Sequence, residues 1–242
     1  HHRDFLPSSR RQLTMLAVVS TLGLALATPP VLAQAEEEAA SVLTQPVNHR
    51  PVVTRHRGSF NGEMIDYRAE VAALDVPDAE GKAAARLIGT SYMAEGNNTA
   101  TRPVLFLFNG GPISPSLYLH VGGFGPKRIA FPDDLTADPA SFELVHNPYA
   151  PLDVADLVFI DPASTGFSRG LPGTEPDAYF SVAADGQQVA AYIREWLVAH
   201  DRLASPVYVF GESYGTNRAA EVASQLSAME DAINLDGVIV FG

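Results

Sequence analysis

The stretch from Pro206 to Gly215, Pro-Val-Tyr-Val-Phe-Gly-Glu-Ser-Tyr-Gly, constrains the fold more than any other. Val207, Tyr208, Val209 and Phe210 are β-branched or aromatic, as an interior strand prefers. Gly211-Glu212-Ser213-Tyr214-Gly215 then follows the pattern G-x-S-x-G, a strained turn that lifts a serine hydroxyl above a sheet. Glycines flank the serine because such a turn leaves no room for side chains. From Arg218 the pattern is helical, with Ala219, Val222, Ala223, Leu226 and Met229 on one face. Strand, sharp turn and helix together give the serine its weight. A plain glycine-bounded turn between a strand and a helix accounts for the same five residues when they are taken alone.

Similar elements recur upstream. Gly58–Leu74 reads as a hairpin turning at Asn61-Gly62, and Ala83–Met93 as a third strand, together the antiparallel edge of a sheet. Arg102–Phe108 is an apolar strand that runs into Asn109-Gly110-Gly111-Pro112. A loop of this kind at the carboxyl end of a buried strand can aim backbone N–H groups at a ligand, although a simple Gly-Pro turn has the same composition. Gly122–Leu152 is rich in loops. Ala155–Ile160 is a further buried strand, 178–200 a helix with Val182, Gly186, Val189, Ile193, Trp196 and Leu197 on one face, and Leu235–Phe241 a last strand. This order predicts an α/β protein with a doubly wound, mostly parallel sheet.

Composition narrows the chemistry. There is no cysteine, which excludes disulfides, thiolate catalysis and cysteine-based zinc sites. A formal net charge of −12 argues against nucleic acid as a partner, since phosphates are neutralised by Lys and Arg. No pattern for a metal or cofactor stands out.

The first 35 residues read as a signal peptide. Arg10 and Arg11 precede an apolar run, Leu13–Ala27, and Ala33-Gln34-Ala35 offers small residues for cleavage. The run would span only about 22 Å as a helix, short of a hydrocarbon core of ~30 Å, so no stable membrane anchor is expected. The paired arginines also loosely match a twin-arginine signal. Export to the periplasm or beyond follows. Residues 36–57 read as a flexible lead-in, and 58–242 as the catalytic-domain portion.

Three motifs stand in order: Asn109-Gly110-Gly111-Pro112, Asp161-Pro162-x-x-Thr165-Gly166-Phe167-Ser168, and Gly211-Glu212-Ser213-Tyr214-Gly215. Together they resemble the serine carboxypeptidase family, its exported bacterial members more than its fungal or plant ones. The resemblance runs from about Phe60 to the end. It implies an α/β-hydrolase fold, cut short after the strand that follows the nucleophile helix. It implies hydrolysis of C-terminal peptide bonds, with acyl transfer in some relatives, a peptide substrate with a free C-terminus, and no cofactor. By position, Ser213 matches the nucleophile, and the N–H groups of Gly111 and Tyr214 match the oxyanion hole. Asn109, Gly110 and Glu212 match positions that bind the substrate carboxylate. Glu212 can donate a hydrogen bond only when protonated.

The chain departs from the family in three places. Ile113-Ser114-Pro115 replaces the usual Gly and small polar residues after the Asn-Gly-Gly-Pro motif, and a β-branched residue at positive φ would be strained. A second glutamate of many relatives aligns with Gly123. The third departure concerns the triad: an acid and then a histidine should follow the serine, yet the 29 residues after Ser213 contain Asp231 and Asp236 but no histidine. His120 and His146 precede the serine, and both read as surface or loop residues. The chain therefore reads as the N-terminal part of a longer enzyme, inactive by itself. An exported serine esterase or acyltransferase, and a non-catalytic truncated homologue, are the competing readings.

Overall fold

The computed structural model describes residues 50–242 apart from Ala79, Asn97, Asn98 and Leu135. The expected signal peptide lies outside the described residues. The chain starts with three antiparallel strands, β1 (Val52–Phe60), β2 (Glu63–Pro77) and β3 (Ala83–Ala94). Asn61 and Gly62 turn the first hairpin with φ of 49° and 91°. Both values are positive, as a tight turn matching strand twist requires. β1 begins inside the expected lead-in: Val52–Arg57 pairs with Asp66–Val71. These six residues are exposed along their whole length, so no alternation of apolar and polar residues marks them as a strand.

β4 (Val104–Phe108) is buried throughout. The section after it contains a small separate hairpin, β5 (Lys127–Ala130) with β6 (Glu143–His146). Then come β7 (Asp156–Asp161) and the two-residue β8 (Arg169–Gly170). Helix α1 (Val182–Ala199) leads to β9 (Val207–Glu212), helix α2 (Gly215–Ala228) and β10 (Gly237–Phe241). α1 starts inside the expected 178–200 window because Ser181 caps it, its side chain accepting a hydrogen bond from the Ala184 N–H.

The main sheet runs β1-β2-β3-β7-β4-β9-β10, with β8 beside β3. β7, β4, β9 and β10 are mutually parallel, and β3 meets β7 antiparallel. The chain leaves β4 toward β7 and returns past it to β9, so the winding direction reverses at β4. Ligand crevices form at such a reversal, outside the carboxyl ends of the strands. Asn109 and Ser213 sit at that end, directly after β4 and β9.

Alternate residues of the central strands feed two cores. Val104, Phe106, Phe108, Val158, Ile160 and Val209 pack with Trp196 and Ile193 of α1 and Val222 and Leu226 of α2. Leu105, Leu107, Leu157, Phe159 and Phe210 face the other way, toward Leu119 and Leu152 of the loop-rich section. One face is thus covered by helices and the other by irregular segments. Trp196 is a core residue, edge-on to Phe106 at 5.4 Å, and its indole N–H donates to Ser91 Oγ at 2.9 Å.

A buried ion cluster ties the amino ends of the parallel strands. Asp156 accepts from Arg102 at 3.0 Å and from Arg202 at 2.5 Å, with Asp156 and Arg202 both buried. The three residues fasten β7, the entry to β4 and the turn after α1. Among the described residues no helix is long and apolar enough to cross a membrane.

β10 is an edge strand, and Val238, Ile239, Val240 and Phe241 are 44–64% exposed. A long apolar edge templates pairing with other chains. Residues 36–242 expressed alone are expected to self-associate, and light scattering after size exclusion checks this. A stable monomer at micromolar concentration would contradict it.

Candidate active site

Ser213 sits at the tip of the turn between β9 and α2 with φ of 56°. A non-glycine residue in this region carries strain on the order of 1–2 kcal/mol. The turn holds it there by packing without Cβ atoms. A Cβ at Gly211 would lie 2.0 Å from the Gly215 carbonyl oxygen, and one at Gly215 would lie 3.0 Å from that of Phe108. The Ser213 N–H donates to the Phe241 carbonyl at 2.7 Å, which docks the end of β10 on the turn. Ser213 is exposed, so its hydroxyl is accessible to a ligand.

The Asn109-Gly110-Gly111 loop presses against the same turn. A Cβ at Gly110 would lie 2.3 Å from Tyr214 N and 2.6 Å from the Glu212 carbonyl oxygen. Gly110 is therefore fixed as glycine by close backbone approach. Gly111 has φ of 59°, the left-handed conformation. Ile113 is not among the described residues with positive φ, so the expected strain at this position does not arise. The chain reverses at Gly111 instead, closed by a hydrogen bond from the Ile113 N–H to the Gly111 carbonyl. Gly111 and Tyr214 both lie outside the regular hydrogen-bond ladders, and neither N–H donates to another described residue.

Asn109 is buried, and its amide is oriented at both ends. Its Oδ1 accepts from the Leu119 N–H at 3.0 Å, which leaves Nδ2 to donate to Glu212 Oε2 at 2.9 Å. The aspartate of the second motif supports this arrangement from behind. Asp161 accepts from the backbone N–H and the hydroxyl of Ser116, each at 2.8 Å. Ser116 opens the turn that carries Leu119. Gly166 must be glycine for this purpose, since a Cβ there would lie 2.2 Å from Asp161 Oδ2. Ser168 closes the motif by donating to the Asp161 carbonyl at 2.7 Å and accepting from the Ile88 N–H at 2.8 Å.

Sequence reasoning passed over Arg218 as anything but a helical residue. It is fully buried and pairs with Asp185 of α1 at 2.8 Å. It also donates to the carbonyls of Asn109 and Pro112. A charge three residues after the glycine-bounded serine turn was the available signal. Burial pushes the Asp185 carboxyl above its ordinary range, and Arg218 opposes that shift.

Ser213, Glu212, Asn109, Gly110 and Gly111 all line one cavity of about 610 Å³. Tyr118, Leu119, Phe124, Phe210 and Phe241 give it apolar walls. None of the described histidines lines it. His146 bonds the Ser59 carbonyl at 2.8 Å, and His200 bonds Glu70 at 2.8 Å. His120, expected as a surface or loop residue, is half-buried against the sheet. It stacks on Phe159 at 4.5 Å and bonds Tyr92 at 2.6 Å, and burial pushes its pKa down to about 4. An added Cβ at Gly123 would meet nothing within 4 Å.

Sheet order, the reversal at β4 and the serine-bearing turn define the α/β-hydrolase fold. The serine carboxypeptidase family model matches residues 91–242, and the chain belongs to that family. It is 26% identical over 151 residues to serine carboxypeptidase-like 13 of Arabidopsis thaliana, covering 62% of this chain and 34% of that protein. It is 28% identical over 155 residues to vitellogenic carboxypeptidase of Aedes aegypti, covering 62% and 30%. With carboxypeptidase Y homolog A of Pyricularia oryzae the identity is 29%, covering 60% and 24%. The chain thus matches 24–34% of the length of these relatives. Among solved structures, Candida antarctica lipase A in its closed state has a TM-score of 0.43 at 11% identity, covering 77% of this chain and 40% of its own. A bacterial heroin esterase has a TM-score of 0.42 at 13% identity, covering 88% and 50%.

Two outcomes test this geometry. Gly110→Ala forces the loop away from Tyr214 and is expected to destabilise the protein by about 2 kcal/mol, read by thermal or urea unfolding. His120 stays neutral when folded but protonates near 6.5 when unfolded. Its contribution to stability is therefore complete above pH 6.5 and is lost as pH falls toward 4. His120→Phe is expected to flatten that part of the stability profile, measured by urea midpoints between pH 4 and 7.

Proposed function

We propose that the full-length protein is an exported serine-type carboxypeptidase that cleaves C-terminal peptide bonds through an acyl-enzyme on Ser213. One observation carries the reading: an exposed serine, the Gly110-Gly111 loop and an Asn–Glu pair meet at one apolar-walled cleft, with the Tyr214 N–H packed against Gly110. In this reading Ser213 Oγ attacks the scissile carbonyl and a base takes its proton. The N–H groups of Gly111 and Tyr214 receive the oxyanion. In other hydrolases one such donor is worth about 3–4 kcal/mol. The substrate carboxylate docks beside Asn109, Gly110 and Glu212. The remaining Nδ2 hydrogen of Asn109 and a protonated Glu212 are the donors for it.

The base and its acid partner are assigned to the remainder of the full-length protein, since every described histidine with a bonded ring is engaged away from the cleft. Export rests on the charge pair, apolar run and small residues of the first 35 positions. No resident cofactor enters the mechanism.

Gly123 favours a second reading, an esterase or acyltransferase on the same serine, because the second glutamate of many relatives is missing there. The two readings separate on blocked dipeptides with free and amidated C-termini. The carboxypeptidase reading expects turnover of the free acid, on the order of 10²-fold loss on the amide, and none with Ser213→Ala. It also expects the peptide-to-ester rate ratio to rise as the medium becomes more acidic. Equal turnover of acid and amide, with a ratio independent of pH, would favour the esterase.

A further inference from the structure

The pair Arg218 and Asp185 is the most heavily engaged polar group near the cleft, and the reaction as proposed does not use it. The guanidinium has no exposed surface. Its Nε and one terminal nitrogen face the two oxygens of Asp185, at 2.8 and 3.1 Å. Two further donors reach the carbonyls of Asn109 and Pro112, which flank Gly110-Gly111. The same guanidinium carbon lies 5.7 Å from the Phe108 ring centre and 5.5 Å from that of Tyr214. One side chain therefore touches both segments whose N–H groups are unbonded.

We propose that Arg218 is a positioning residue that holds the Gly111 and Tyr214 backbone donors in register with each other, with Asp185 as its anchor. Peptide planes make the argument. A trans peptide sets its C=O and N–H in opposite directions. Holding the Asn109 and Pro112 carbonyls on the guanidinium fixes the two peptide planes that bracket the reversal at Gly111. The peptide between Gly110 and Gly111, whose N–H is the donor in question, lies between those two planes, and the Gly111–Pro112 peptide that separates it from the second is held by the Ile113 N–H on the Gly111 carbonyl. Gly110 packs directly on Tyr214 N, so a small rotation of the loop moves the two donors relative to each other. A planar fork can span two carbonyls and a carboxylate at once, whereas an ammonium group cannot keep that geometry. The charge itself does not act on the substrate, because Asp185 neutralises it.

This inference rests on the reading of Ser213 as nucleophile, and its test separates the two. The full-length protein is assayed on a blocked dipeptide with a free C-terminus, together with two variants. Arg218→Lys keeps the charge and loses the fork. Arg218→Met combined with Asp185→Leu removes the buried pair as a unit, a change that often leaves stability intact. Positioning predicts a fall in kcat of about 10²-fold in both, with KM within about threefold. It also predicts that a peptide boronic acid, a tetrahedral mimic, loses affinity in step with kcat while the peptide product does not. Thermal unfolding of the double variant should stay near that of the parent. Retained kcat in a folded variant overturns the proposal, as does equal weakening of boronic acid and product. Loss of folding in both variants also overturns it, since positioning is then inseparable from support of the fold. An inert parent protein overturns the nucleophile reading and this inference together, whereas an active parent with unaffected variants overturns this inference alone.

Discussion

The buried guanidinium of Arg218 binds together parts of the chain that are distant in sequence. Through it α2 meets Asp185 of α1, the carbonyls on both sides of Gly110-Gly111, and the rings of Phe108 and Tyr214. A charge removed from water is costly unless it is paired and hydrogen-bonded, and here four hydrogen bonds, two of them to Asp185, meet that need. That requirement makes the site stiff. The glycine loop after β4 cannot drift from the serine turn after β9 without leaving a buried cation unsatisfied.

A second path reaches the same place from the other side. Asp161, at the end of β7, holds Ser116, whose turn supplies the Leu119 N–H to Asn109, and Asn109 in turn meets Glu212. The parallel strands β4 and β9 thus deliver Asn109 and Glu212 to the cleft at their carboxyl ends, and β7 ends in the Asp161 that braces them from behind. The reversal of winding at β4 is what brings those ends together without a helix between them. The opposite end of the sheet is closed by Asp156 with Arg102 and Arg202, so strand register is pinned below the site as well as at it.

Much of this was legible in the sequence because it is local. The turn at Asn61-Gly62, the apolar β4, the periodic face of α1 and the strand-turn-helix around Ser213 all depend on neighbours in the chain. β1 was not legible over Val52–Arg57, because a strand exposed on both faces shows no alternation. The β5–β6 hairpin escaped for a related reason, since its strands are four residues each and neither buries a residue fully. His120 was misplaced because its burial comes from Phe159 and Tyr92, both distant in sequence. At Ile113 a family pattern suggested strain that the backbone avoids by turning at Gly111.

The sequence alone determined the residue types at the cleft and the conformations they require. G-x-S-x-G needs glycine on both sides of a residue with positive φ, and Asn-Gly-Gly at the end of a buried strand needs a loop without side-chain bulk. Only the tertiary structure decided why each glycine is needed and what fixes the loop. Gly110 is a glycine because Tyr214 N lies against it, and Asn109 points at Glu212 because Leu119 takes its other end. Arg218 finds Asn109 across 109 positions of chain. Such partners are chosen by the folding of the sheet, which brings the ends of β4 and β9 side by side, and no local spacing encodes that proximity.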